Sequence, residues 1–98
     1  MKIQQLMKQA QQMQEKLQRE VSTLVVEGSA GGGMVNVVMS GHRRIQSVKI
    51  DPEVIDSEDP GMLEDLVLTA VNEASNKIDQ ALQEKMGGMA GGLPGLFQ

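Results

Sequence analysis

The sequence predicts one α+β domain: a long N-terminal helix, a three-stranded antiparallel β-meander, a short helical turn and a long C-terminal helix. Three stretches carry that expectation. Apolar residues recur at steps of three and four through the first twenty positions. Gly31–Val54 alternates between three glycines and an Asp-Pro stop. From Asp59-Pro60 to Lys85 one broad apolar face repeats with a helical period.

In the first stretch Ile3, Leu6, Ala10, Met13 and Leu17 form a narrow, coiled-coil-like seam. Gln, Glu, Lys, Met and Leu are good helix formers, and no Gly or Pro interrupts them. At about 100° per residue, Lys8 and Arg19 project opposite the seam, with Lys16 beside them. The spacing also allows Glu15–Arg19 and Lys16–Glu20 pairs on a solvated face, each contributing a few tenths of a kcal/mol. The β-branched Val21, Val25 and Val26 then point to a first strand over about Val21–Gly28.

Gly31-Gly32-Gly33 is not a phosphate-binding loop, because neither Gly-Lys-Ser/Thr nor Gly-x-Gly-x-x-Gly is present. It reads as a turn with positive φ. Met34–Ser40 is the second strand, with Val35, Val37 and Met39 on one face. Gly41-His42-Arg43 makes a turn. Ile45–Asp51 is the third strand, with Val48 and Ile50 on one face and Ile45 on the other. Both faces are partly apolar, so helices are expected over one and a further element, such as a second subunit, over part of the other.

Asp51 caps a short turn begun by Pro52, and Asp59-Pro60 repeats the signal ahead of the second helix. Leu63, Leu66, Val67, Ala70, Val71, Ala74, Ile78, Ala81 and Leu82 form that helix's apolar face. Glu64, Asp65, Glu73, Asp79 and Glu84 make its outer face acidic. Residues 1–85 are therefore read as the domain. Residues 86–98, MGGMAGGLPGLFQ, are read as a disordered glycine-rich tail.

A chain of 98 residues, 40% apolar and 22% charged, is expected to have a thin core. It has no cysteine to supplement that core, which points to self-association as a homodimer. The sequence shows neither a signal-peptide pattern nor a run of membrane-spanning length, so an intracellular, cytoplasmic address is expected. Net charge is −4, but it is divided unevenly: residues 1–50 carry a net +4 and residues 51–98 a net −8. Either one face meets a polyanion or the two halves attract each other on folding.

The residues available for chemistry are few. There is one histidine, His42, in a turn beside Arg43 and Arg44, and no serine sits in a nucleophile elbow. Asp51, Glu53, Asp56, Glu58 and Asp59 cluster, but without the spacing or central glycine of a calcium loop. No enzyme, cofactor, metal site or small-molecule substrate is expected. Phe97 is the single aromatic residue, so no base-stacking platform exists. Recognition of a phosphate backbone by lysine and arginine, or interaction with another protein, remains.

Five segments in order then carry a resemblance. They are Leu6–Lys16 (LMKQAQQMQEK), Gly31–Val35 (GGGMV), Val48–Pro52 (VKIDP), Met62–Leu66 (MLEDL) and Ala70–Ala74 (AVNEA). Together they resemble the YbaB/EbfC family of bacterial nucleoid-associated proteins over about residues 3–85, although the segment between Lys16 and Gly31 is shorter than is usual there. The resemblance implies a homodimer with a small α+β core and protruding helices. It also implies duplex-DNA binding with little sequence preference, a nucleoid location, and effects on nucleoid organisation or gene expression. From charge and expected exposure, rather than from the family motif, the phosphate contacts are Lys8, Lys16 and Arg19 on the first helix with His42, Arg43 and Arg44 at the hairpin tip. Gln9 and Gln12 are candidates for additional hydrogen bonds. The alternative is a dimeric adaptor using its acidic helix or glycine-rich tail, or an accessory subunit of a DNA-processing enzyme.

Overall fold

With no Gly or Pro before Gly28, the backbone has no local reason to end its first helix early. In the computed structural model, which describes residues 2–89, helix α1 runs from Ile3 to Thr23. It therefore takes in Val21–Thr23, where a strand was expected. The Thr23 hydroxyl lies within hydrogen-bonding distance of the Arg19 and Glu20 carbonyls, at 3.1 and 3.2 Å, and Leu24 N–H donates to Val21 O at 3.3 Å. These bonds and the partial burial of Val21 outweigh the strand preference of β-branched residues. Strand β1 then spans Val25–Ala30.

Gly31, Gly32 and Gly33 turn the chain with φ of 64, 67 and 95°. Strand β2, Val35–Ser40, returns antiparallel to β1, and β3, Ile45–Ile50, pairs antiparallel with β2, giving the meander order β1-β2-β3. The register sets Gly28 opposite Val37 and Val37 opposite Val48. A bulge at Val38/Met39 changes one face assignment: Ile45 pairs with core-facing Met39, not with the opposite face. At the tip between β2 and β3 the left-handed position is taken by Arg43, at φ 63°, rather than by a glycine.

Asp51 caps the 3₁₀ turn Pro52–Val54, its Oδ1 accepting from Glu53 N–H at 2.9 Å. Asp59 Oδ1 accepts from Met62 N–H at 3.3 Å, and helix α2 follows from Pro60 to Met89. Both capping expectations hold. The helix continues four residues past Lys85, through Gly87 and Gly88. Residues 90–98, the remainder of the expected tail, lie outside the described residues.

The core sits between α2 and the β1–β2 part of the sheet. Val35 and Val37 are fully buried with Met39 and Ala30 against Ala70, Ala74 and Ile78. Gly28 makes this contact possible. A Cβ there would strike Ala70 O and lie 2.5 Å from Ala74 N, so the helix backbone rests directly on the strand. Beyond this contact β3 is left uncovered, with Ile45 48% and Val48 46% exposed. Helical cover of one face is as expected, but the exposed Ile45 and Val48 lie on that same face, in register with buried Met39 and Val37, rather than on the opposite one.

Gly28→Ala is therefore expected to lower the free energy of unfolding by about 2 kcal/mol or more, as overpacking against an unyielding backbone does. Gly32→Ala, whose Cβ meets nothing within 4 Å, is expected to lose only about 1 kcal/mol to left-handed strain. Urea denaturation of the two variants measures both. Equal losses would show that backbone conformation, and not helix contact, sets the requirement at Gly28.

Candidate nucleic-acid interface

Helix α1 has no buried residue. Its apolar residues are too few to enclose it, and its polar face carries long, solvated side chains, so it stands out from the sheet as an arm. At about 1.5 Å per residue its 21 residues span roughly 32 Å. Lys8, Lys16 and Arg19 are exposed, and among the described residues none of them forms an ion pair. The expected Glu15–Arg19 and Lys16–Glu20 pairs are absent from the ion pairs of the described residues. Glu20 instead binds Lys85 of α2. That pairing neutralises one of the two acids on α1 and leaves the arm more positive than its sequence alone indicates.

The root of the arm meets the hairpin tip. Gly41 N–H donates to Leu24 O at 2.9 Å, and a Cβ on Gly41 would strike Val21 O. His42 Nε2 lies 3.4 Å from Ser22 Oγ, three residues past Arg19. His42 and Arg44 are exposed beside this joint, and Arg44 forms no ion pair among the described residues.

Arg43 is placed differently from its neighbours. Its guanidinium reaches α2, donating to Ser75 Oγ at 2.5 Å and Ser75 O at 3.3 Å, and pairs with Asp79. This side chain ties the tip to the helix. Both tip arginines are exposed, as expected, but the left-handed Arg43 is tied to α2 while Arg44 is free of any ion pair of the described residues. Neither Arg43–Asp79 nor Glu20–Lys85 has a local signal: the partners are 36 and 65 residues apart.

Acidic residues collect at the other end of the sheet. Asp51 N–H donates to Met34 O at 2.8 Å, which fixes the end of β3 beside the triple-glycine turn. Asp51, Glu53, Asp56, Glu58 and Asp59 follow from there, and Glu64 and Asp65 open α2. The carboxylates of Asp51, Asp56 and Asp59 accept backbone N–H groups. Among the described residues no acid or histidine cluster is arranged to hold a metal ion. Charge is thus unevenly spread: Lys8, Lys16, Arg19 and Arg44 lie toward the α1 end and the acids just named toward the glycine-turn end, where the exposed Lys49 also lies, outside any ion pair of the described residues. Among the described residues no helix is long and apolar enough to cross a membrane.

The model of the family described as the YbaB/EbfC DNA-binding family matches residues 1–93. A nucleoid-associated protein of Chloroflexus aurantiacus is 52% identical over 96 residues, covering 95% of this chain and 96% of that protein. A nucleoid-associated protein of Koribacter versatilis is 50% identical over 92 residues, covering 92% and 91%. The crystal structure of an uncharacterized protein from Helicobacter pylori shares the fold, with a TM-score of 0.69 at 19% identity, covering 86% of this chain and 98% of that one.

The Lys85 ammonium, by its hydrogen bond first and its charge second, holds the Glu20 carboxyl below its ordinary range. A depressed carboxyl pKa adds stability above the unfolded-state value, and that stability is lost as pH falls through the folded value. NMR titration of Glu20 is expected to show the lowered midpoint, and Lys85→Met is expected to raise it toward the ordinary glutamate range. An unchanged midpoint in Lys85→Met would disprove the pairing.

Proposed function

The chain belongs to the YbaB/EbfC DNA-binding family, and from that premise we propose that it is a non-enzymatic nucleoid-associated protein that binds duplex DNA with little sequence preference. The observation that carries this reading is the arm: α1 buries no residue and presents Lys8, Lys16 and Arg19 outside any ion pair of the described residues. Cations on long side chains contact phosphates, which position a protein on DNA without reading its sequence. Arg44 and His42 extend the cationic surface past the root of the arm. Arg43 joins them only if phosphate displaces Asp79. Gln9 and Gln12, exposed on α1, supply further donors. The acidic end faces away from a duplex held at α1, which reconciles the net charge of −4 with a polyanionic partner. DNA in the cytoplasmic nucleoid is the corresponding location.

We further infer a homodimer. Ile45 and Val48 on β3 are about half exposed, and Leu68 on α2 is 60% exposed beside half-buried Leu63, Val67 and Val71. An apolar surface of this kind beside a thin core supports association of two copies. In the proposed dimer the surface is shared and the two arms remain free.

Gel-shift titrations with unrelated duplexes at low and physiological salt test the DNA reading. Similar affinity for all duplexes, falling steeply with salt, is expected. Lys8→Ala/Lys16→Ala/Arg19→Ala is expected to weaken binding uniformly and to lower the salt slope by about 0.9 for each phosphate that is no longer neutralised. If no duplex shifts even at low salt, the adaptor reading replaces this one.

Sedimentation addresses the dimer independently of DNA. The unmodified chain is expected to sediment as a dimer at micromolar concentration and Val48→Asp as a folded monomer. A monomeric unmodified chain would overturn the self-association reading.

A further inference from the structure

Arg43 is the one cation of the hairpin tip that the fold holds back. His42 and Arg44, on either side of it, are exposed and outside any ion pair of the described residues. The Arg43 guanidinium instead lies against α2, on Ser75 O, Ser75 Oγ and the Asp79 carboxylate. The turn does not need this contact for its shape. Arg43 N–H donates to Ser40 O at 2.8 Å, Ser40 N–H to Arg44 O at 2.9 Å and Gly41 N–H to Leu24 O at 2.9 Å. Backbone bonds thus close the tip and join it to the root of α1. Nor is the contact enclosed. The Arg43 and Asp79 side chains are 43% and 60% exposed, against 36% and 33% for Lys85 and Glu20. Opening the pair leaves both charges in water, so little free energy holds it shut.

A guanidinium grips a carboxylate and a phosphate with the same two-pronged geometry. Asp79 therefore fills the place on Arg43 that a phosphate would take. We propose that Arg43–Asp79 is an exchangeable latch: a duplex phosphate displaces Asp79, and the released Arg43 joins Arg44 and His42 as a DNA contact. The exchange presupposes the proposed DNA binding and adds to it a contact that is masked in the free protein. Its place fits. His42 Nε2 lies 3.4 Å from Ser22 Oγ, one helical turn beyond Arg19, so a duplex resting on the root of α1 meets the tip. Charge density drives it. Asp79 offers a single carboxylate, whereas a duplex presents about one phosphate charge per 1.7 Å of its axis and releases counterions when they are neutralised. The displaced Asp79, on the exposed side of α2, returns to solvent without burial.

A double-mutant cycle read by duplex affinity tests the masking. Alanine suits both positions. Asp79 is an exposed helical site where alanine is well tolerated. Arg43→Ala keeps a Cβ and so leaves the left-handed strain of the turn as it is. At low salt Asp79→Ala is expected to tighten binding about threefold to fivefold. In the Arg43→Ala background the same substitution is expected to tighten it by less than about twofold. Within the Asp79→Ala background, Arg43→Ala is expected to lower the salt slope by about 0.9, the value of one phosphate. Equal tightening in both backgrounds would show that Asp79 merely repels DNA and would overturn the latch, as would no tightening in either. The unmodified protein tests the exchange itself. Its Arg43 Nε–Hε NMR signal is expected to shift as duplex is added, and a signal that stays in place while the duplex binds would show the latch permanently closed. If the unmodified chain shifts no duplex even at low salt, DNA binding fails and the latch with it; a bound duplex without these effects sinks the latch alone.

Discussion

The contact between the backbone of α2 and Gly28 sets the rest of the structure. Ala70 and Ala74 present almost no side chain, and Gly28 presents none, so helix and strand meet at backbone distance. That leaves α2 little freedom in height or direction. One consequence is the core, where Ile78, Val35 and Val37 are fully buried on either side of the contact. Another is reach. A helix seated over Gly28 carries Ser75 and Asp79 to the hairpin tip and Lys85 to the root of α1. A helix held one side-chain layer further away would bring neither pair within bonding distance.

Those two pairs sort the charges of the chain. Its halves have opposite sign, and wholesale attraction between them would cancel the cations that a polyanion needs. Only limited cancellation occurs. Asp79 takes Arg43, and Lys85, from the acidic half, takes Glu20 from the basic half. Lys77 pairs with Glu73 and also donates to Glu27 O at 2.7 Å. Both lysines of the acidic half are thus used in attaching α2, and one of them removes a carboxylate charge from the arm. Most remaining acids lie beyond the glycine turn, the length of the sheet away from α1. At physiological salt, screening over about 8 Å makes that distance sufficient to separate the two fields. Exposed pairs of this kind add little stability. Their larger effect is on where free charge is left.

Local signals were legible in the sequence wherever the backbone had one answer. Three consecutive glycines, Asp51-Pro52 and Asp59-Pro60 each leave few conformations, and each formed the turn or cap expected. Alternation placed β2 correctly because a fully buried face admits no slip. The errors arose where tertiary contacts decided. Val21–Thr23 have strand preferences but lie in a helix anchored by Gly41 and Leu24. Ile45 changed face through a bulge that parity does not reveal. Arg43 read as a free cation because Asp79 is distant in sequence. The exposure of Lys8, Lys16 and Arg19 was legible from helical projection alone.

An arm that buries nothing has a physical difficulty of its own. Helices of this length are only marginally stable in water when unsupported, because propagation gains little per residue after a costly nucleus. The inner part of α1 is supported through Leu17, Val21 and the Glu20–Lys85 pair. The outer part, which carries Lys8, depends on glutamine-rich helix propensity. If that part frays, each encounter with a duplex must order it first, and the ordering cost is subtracted from the gain of phosphate contact. Lys16 and Arg19, on the supported portion, avoid that cost. In the proposed DNA contact, the contribution of Lys8 therefore depends on how rigid the outer arm is, while that of Lys16 and Arg19 does not. A charge count treats the three alike, but the packing at the arm's root makes them unequal.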